Sequence, residues 1–163
     1  MPEPRLQHYL HQNHIAFETI QHARTLTAQE TAASAHIRGH ELAKTVMVKL
    51  DGRLAMVVLP ASMRLHFGRL RKATGASSAG LAEELEFRDL FPDCEPGAMP
   101  PFGNLYGLDV YIDDSLADDR LIAFNAGTHT ELVRMPFAEF ERLVHPQRLH
   151  RVHRLGVSDE WGG

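Results

Sequence analysis

The chain has 163 residues, 44% hydrophobic and 23% charged, with a formal net charge of −4 and one cysteine. That is enough chain to bury a core as one domain, and the composition excludes a disordered or low-complexity protein. The acidic balance excludes a generic nucleic-acid coat, and one cysteine excludes an internal disulfide and fits a reducing cytosol.

Leu6, Tyr9 and Leu10 recur at helical spacing and predict a first amphipathic helix over 4–13. Ile15, Phe17 and Thr19 alternate, which predicts a short strand. Thr27-Ala28-Gln29-Glu30 is a capping-box pattern, and the alanine-rich run behind it predicts a close-packed helix ending near Gly39. Ala43 to Leu50 alternates with period two. Lys44 shares a face with Val46, Val48 and Leu50; Lys49 shares the other with Thr45 and Met47. A lysine at the head of an apolar face either snorkels to solvent or reaches into a pocket. Asp51-Gly52 predicts a hairpin turn, and Leu54 to Leu59 the returning strand, stopped by Pro60.

Residues 62–74 read as a helix with Ser62 as its cap and Gly75 as its stop. Arg64, Arg69, Arg71 and Lys72 lie within it, either as a solvated face or as a phosphate-contacting patch. Ala76 to Ala79 is a small-residue loop, and Leu81 to Leu90 predicts another helix with its leucines inward. Next comes Cys94-Glu95-Pro96-Gly97-Ala98-Met99-Pro100-Pro101-Phe102-Gly103-Asn104. Proline fixes φ and glycine reaches φ values closed to other residues, so this is a stiff loop of defined shape. It is either a tight crossover or a surface whose backbone N–H groups are turned towards a ligand.

Leu108, Val110 and Ile112 predict a strand, and Leu121 to Asn125 and His129 to Met135 predict a hairpin around Ala126-Gly127-Thr128. Pro136 opens a last helix with Phe137, Phe140, Leu143 and Val144 inward. The tail from His145 to Arg154 is basic, able to hold phosphate or to fray. Intermixed strands and helices with two clear hairpins predict an α+β domain with a mixed, largely antiparallel sheet, spanning 1–163. No apolar run reaches the roughly 18 residues of a membrane span, and Met1-Pro2-Glu3-Pro4-Arg5 lacks the layout of a signal peptide. The expectation is a cytoplasmic protein without membrane or DNA partners.

The chain has eleven histidines. His36 and His40 have a ligand spacing but flank Gly39, and His145, His150 and His153 lie in the basic tail, so no metal site is expected. There is no Gly-x-Ser-x-Gly elbow, Walker loop or dinucleotide fingerprint. Cys94, beside a proline-rich loop, reads as structural. What remains is a rigid loop with backbone donors, a lysine on an apolar strand face, and polar residues at Gly127-Thr128-His129. These are parts for positioning and electrostatic stabilisation, not for covalent catalysis.

Lys44-Thr45-Val46 after an alanine-rich helix, then Gly97-Ala98-Met99-Pro100-Pro101-Phe102-Gly103, then the Gly127 hairpin, resembles the YbaK family. That family includes the editing domain of bacterial prolyl-tRNA synthetases and its free-standing relatives. The likeness spans residues 5–145 and implies a partly barrel-like α+β fold with the basic tail outside the core. It implies a trans-editing hydrolase that cleaves the ester between a wrong amino acid and the 3′-terminal adenosine of tRNA, without a cofactor. Lys44 matches the family's main functional lysine, and Gly97, Ala98, Met99, Pro100 and Pro101 match the motif whose backbone lines the aminoacyl pocket. The family mechanism has no protein general base: the substrate's own ribose hydroxyl helps to activate water.

Gly127, Thr128 and His129 join the implied pocket, and Arg64, Arg69, Arg71 and Lys72 become candidate tRNA contacts. The implied partners are mischarged tRNA and an aminoacyl-tRNA synthetase. The sequence departs from some relatives in having Leu132 where they carry an aspartate; His22 sits where many have a histidine, in a functional or a structural role. The rival readings are a non-catalytic tRNA- or synthetase-binding module of the same fold and a metal-dependent hydrolase.

Overall fold

The computed structural model describes residues 3–22 and 41–155. The capping box at Thr27, the alanine-rich helix and the pair His36 and His40 lie outside the described residues. Helix α1 (Pro4–Gln12) begins at a Glu3 cap whose carboxylate accepts the N–H groups of Arg5 and Leu6, and it buries Leu6 and Leu10. Strand β1 (Glu18–Gln21) starts later than the alternation suggested, because Ile15 and Phe17 are used for core packing.

The central sheet has five strands in the order β5-β2-β3-β6-β9. Strands β2 (Ala43–Leu50) and β3 (Arg53–Pro60) form the expected antiparallel hairpin, with Lys44 opposite Leu59. Strand β5 (Ala79–Leu81) adds to the free edge of β2. Strands β6 (Asp109–Asp113) and β9 (Gln147–Leu149) extend the other edge in parallel. A second sheet, β1-β8-β7, contains the hairpin of β7 (Leu121–Asn125) and β8 (Glu131–Pro136). A parallel bridge between Leu42 and Ala123 ties the two sheets at one point, and they do not close into a barrel. The fold is α+β with mixed sheets, as expected; the barrel-like closure is corrected.

Alternation decides which core each strand face enters. Ala43 and Met47 of β2 join the larger core with Met99, Phe102, Phe124, Ala126 and Phe140. Val48 and Leu50 join a second core with Val57, Leu59, Leu65 and Leu70. Each fully buried phenylalanine contributes roughly 1.5–3 kcal/mol. Helix α4 (Phe137–Val144) buries Phe137, Phe140, Leu143 and Val144 as its spacing predicted, with Pro136 as the cap residue just before it.

Two predicted helices are corrected. Residues 63–65 form strand β4 (Met63–Leu65), and helix α2 (Phe67–Thr74) starts only at His66, whose ring accepts the Arg69 N–H in place of a Ser62 cap. The cause is tertiary: β4 pairs antiparallel with β10 (His153–Leu155), which the local sequence cannot foresee. Gly75 ends α2 in the left-handed conformation, as expected. The second correction concerns 81–90, which splits into β5, a one-turn helix α3 (Glu84–Phe87) and a 3₁₀ turn (Arg88–Leu90). Leu81, Leu85 and Leu90 point outward, and Phe87 and Phe91 take the inward role, edge to face.

The basic tail does not fray. Asp113, with no exposed surface, accepts from Ser115 through one carboxylate oxygen. Its other oxygen takes the Val152 N–H at 3.0 Å and lies 2.7 Å from His153 Nδ1. Asp114 holds His150 and the Arg151 N–H in the same way, so two adjacent carboxylates fasten the segment between β9 and β10.

Candidate functional site

The stiff loop and the late glycine turn form one clamped unit. The Gly127 N–H donates to the Ala98 carbonyl at 2.9 Å, and the Glu95 N–H donates to the Gly127 carbonyl at 2.7 Å. The Ala98 N–H closes a turn onto the Glu95 carbonyl at 3.0 Å. His129 then holds the loop twice: its N–H donates to the Glu95 carboxylate at 2.7 Å, and its Nε2–H donates to the Pro96 carbonyl at 2.7 Å. Gly97 has a φ of +81° and Gly127 a φ of +103°, both in the region that favours glycine.

Gly127 is also sterically fixed. A Cβ built there would lie 2.9 Å from Glu3 Cβ, because the Glu3 N–H donates to Ala126 and brings the chain entry against the turn. Ala98, Met99, Pro100 and Pro101 are buried, while Gly97 is exposed. The N–H groups of Gly97, Met99 and Thr128 have no hydrogen-bond acceptor among the described residues. A rigid loop with uncommitted donors is a surface for a carbonyl or an oxyanion.

Lys44 stands apart from this unit. Among the described residues no hydrogen bond or ion pair joins it to the loop, to the turn or to a carboxylate. It is partly buried, and burial, with Arg64 adding repulsion, pushes its ammonium below the usual lysine range.

The route from Lys44 to the turn runs through the bridge of Leu42 and Ala123. These two residues share a small core with Leu132, and alternation returns Lys44 and Asn125, each two residues further on, to that same side. The Asn125 Oδ1 is buried without a hydrogen-bond partner among the described residues. Asn125 stands directly opposite Leu132 in the β7–β8 ladder and two residues before Gly127. Sequence reasoning missed it, because an asparagine before Ala-Gly reads as a turn former. Glu95 and Glu3 were missed for a similar reason: their roles are contacts across long sequence separations. His22 closes the end of β1, its N–H donating to the Thr130 carbonyl.

The four cations predicted as a patch separate in space. Arg64, on β4, lies close enough for its charge to act on Lys44. Arg69 and Lys72 line an open groove with His150 and Arg151. Arg71, about 200° around the helix from Arg69, does not line it. The Cys94 thiol is pushed up to about 12 by burial and by the charges of Glu3 and Asp93. It is protonated at neutral pH and no nucleophile. Among the described residues no three of His, Cys, Asp and Glu converge on a metal-sized site.

A family profile described as an aminoacyl-tRNA editing domain matches residues 22–143. The chain belongs to that family. Among solved structures it is similar to a proposed trans-editing enzyme for prolyl tRNA synthetase, at 23% identity with a TM-score of 0.77, over 90% of this chain and 95% of that one. It is also similar to the hypothetical protein APE2540, at 20% identity with a TM-score of 0.80, over 92% and 99%. A third structure, a proposed signal transduction protein from Marinobacter aquaeolei VT8, aligns at 16% identity with a TM-score of 0.72, over 92% of this chain and 30% of that one. At these identities the likeness to the solved structures is one of fold. No curated protein matches the chain. Among the described residues no helix is long and apolar enough to cross a membrane.

Proposed function

We propose that the protein is a trans-acting deacylase of mischarged aminoacyl-tRNA, a single editing domain working in the cytoplasm. The observation that carries this reading is the clamped Gly97–Pro101 loop, whose amides at Gly97 and Met99 have no acceptor among the described residues while the Pro96 and Ala98 carbonyls are held by His129 and Gly127. An aminoacyl ester is already activated, so a polarised carbonyl and a positioned water suffice for its hydrolysis. A preorganised donor aimed at the developing oxyanion is typically worth about 3–4 kcal/mol.

In this scheme the loop amides, with the Thr128 N–H, hold the ester carbonyl, and the buried side chains of Ala98 and Met99 back the wall that measures the amino acid. Lys44, with no carboxylate partner among the described residues, binds the terminal adenosine or the ester from the other side of the turn. Asn125, two residues before Gly127, offers a polar group opposite Leu132, where some relatives place an aspartate. Water attacks the carbonyl carbon with help from the substrate's ribose hydroxyl, and the 3′ oxygen leaves with the proton. A hydrophobic pocket discriminates by only about 1–3 kcal/mol per methylene, which suits a second sieve after a synthetase.

The test is a panel of tRNAs mischarged with Ala, Ser, Thr and Cys, incubated with the protein and with Lys44→Ala and Asn125→Ala. At least one ester is expected to be hydrolysed well above the buffer rate, and both variants to slow it. Binding of tRNA with no ester hydrolysed in any pairing would favour the non-catalytic module instead.

A further inference from the structure

We infer that the groove between α2 and the fastened C-terminal segment binds the phosphodiester backbone of the RNA whose 3′ end reaches Lys44. The identity of that RNA as tRNA rests on the function proposed above. The groove, of about 500 Å³, is lined by Arg69, Lys72, Ala73, His150 and Arg151. Its cationic side chains come from two segments about eighty residues apart in sequence, brought together on a protein whose net charge is −4. Such local concentration is what a polyanion needs from an acidic protein.

The walls are built, not incidental. Arg69 Nη1 donates to the His153 carbonyl at 2.7 Å, so the helix cation also anchors the tail. The Arg151 backbone sits at a φ of +48°, held by its N–H to Asp114, and His150 Nδ1 lies 2.9 Å from the same carboxylate. Asp113 and Asp114 are acids of this region, and their oxygens are engaged in shaping the segment. Arg154, next to the His153 whose carbonyl Arg69 holds, stands opposite Arg64 in the β4–β10 ladder, so the groove lies beside that ladder.

The test uses uncharged tRNA, so that it does not depend on catalysis. Lys72→Gln removes one groove charge, and Arg151→Asn removes another while tolerating the left-handed backbone. The double variant, with an unchanged melting temperature, is expected to bind tRNA about tenfold more weakly at moderate salt, flattening the slope of log K against log salt by about 1.4–1.8 for two lost phosphate contacts. Arg71→Gln, on the far side of α2, is expected to keep the wild-type slope. Equal affinity and slope for wild type and the double variant would overturn the inference. A groove effect on tRNA binding with no ester hydrolysed in the deacylation panel would sink the catalytic reading and leave the groove standing.

Discussion

The Gly127 N–H donates to the Ala98 carbonyl, and the carbonyl of the same Gly127 accepts from Glu95. This two-way pairing makes the proline-rich loop and the β7–β8 turn a single rigid body. Its position depends on Gly127 having no side chain, since Glu3 closes over it.

Gly127→Ala is therefore expected to act twice. The added methyl meets Glu3 at sub-contact distance and the backbone is held at positive φ, a combination that costs about 1–3 kcal/mol. The melting temperature should fall by several degrees. The turnover number for aminoacyl-tRNA should fall further than the stability loss explains, because the Gly97 and Met99 amides move with the loop. Steady-state kinetics beside a thermal melt would check both; a wild-type turnover number would remove the loop from the site.

Lys44 gives a pH dependence with a definite sign. Its ammonium is held below the ordinary lysine value by burial, then by Arg64. Between the folded and the ordinary value the unfolded chain binds more protons, so stability rises with pH through that window. Lys44→Met removes a buried charge and is expected to raise the melting temperature at neutral pH, by about 2–4 °C per kcal/mol gained, with the difference shrinking in alkali. The same substitution should cut turnover by about 10²–10³-fold. Blank-corrected hydrolysis by the wild type should decline at a lower pH than an unperturbed lysine would give. A destabilised, active Lys44→Met would contradict both halves.

The Asp113 carboxylate accepts from Ser115 and Val152 and contacts His153. Asp113→Ala would leave these groups without their partner in a buried setting, at about 1–3 kcal/mol for each group left unsatisfied. The expected result is a lower melting temperature, with amide exchange accelerating at Val152 and along β10 before the central sheet. Because β10 carries Arg154 and anchors Arg69, tRNA affinity should fall as well. Exchange at Val152 matching that of the wild type would show that the tail is held by other means.

The sequence by itself determined the local elements: the β2–β3 and β7–β8 hairpins, the inward face of α4, the stop at Gly75 and the stiffness of the 94–104 loop. Each rests on a short-range cause, such as a two-residue period, a 3.6-residue period, or glycine and proline dihedral limits. It also singled out Lys44 and the Gly127 turn through a family likeness. Tertiary structure alone decided the rest. Strand β4 displaced the start of a predicted helix because β10 was there to pair with it. Leu81, Leu85 and Leu90 turned outward because Phe87 and Phe91 filled the space they were assigned. Glu95 and Glu3 hold the loop and the turn through contacts that no local pattern encodes, and Asn125 is placed by its register opposite Leu132. The basic run at 64–72 was legible as charge, but only packing against His150 and Arg151 set Arg69 and Lys72 in a groove that Arg64 and Arg71 do not line. Periodicity fixes which way a side chain leaves its own strand or helix. What it meets there depends on residues tens of positions away.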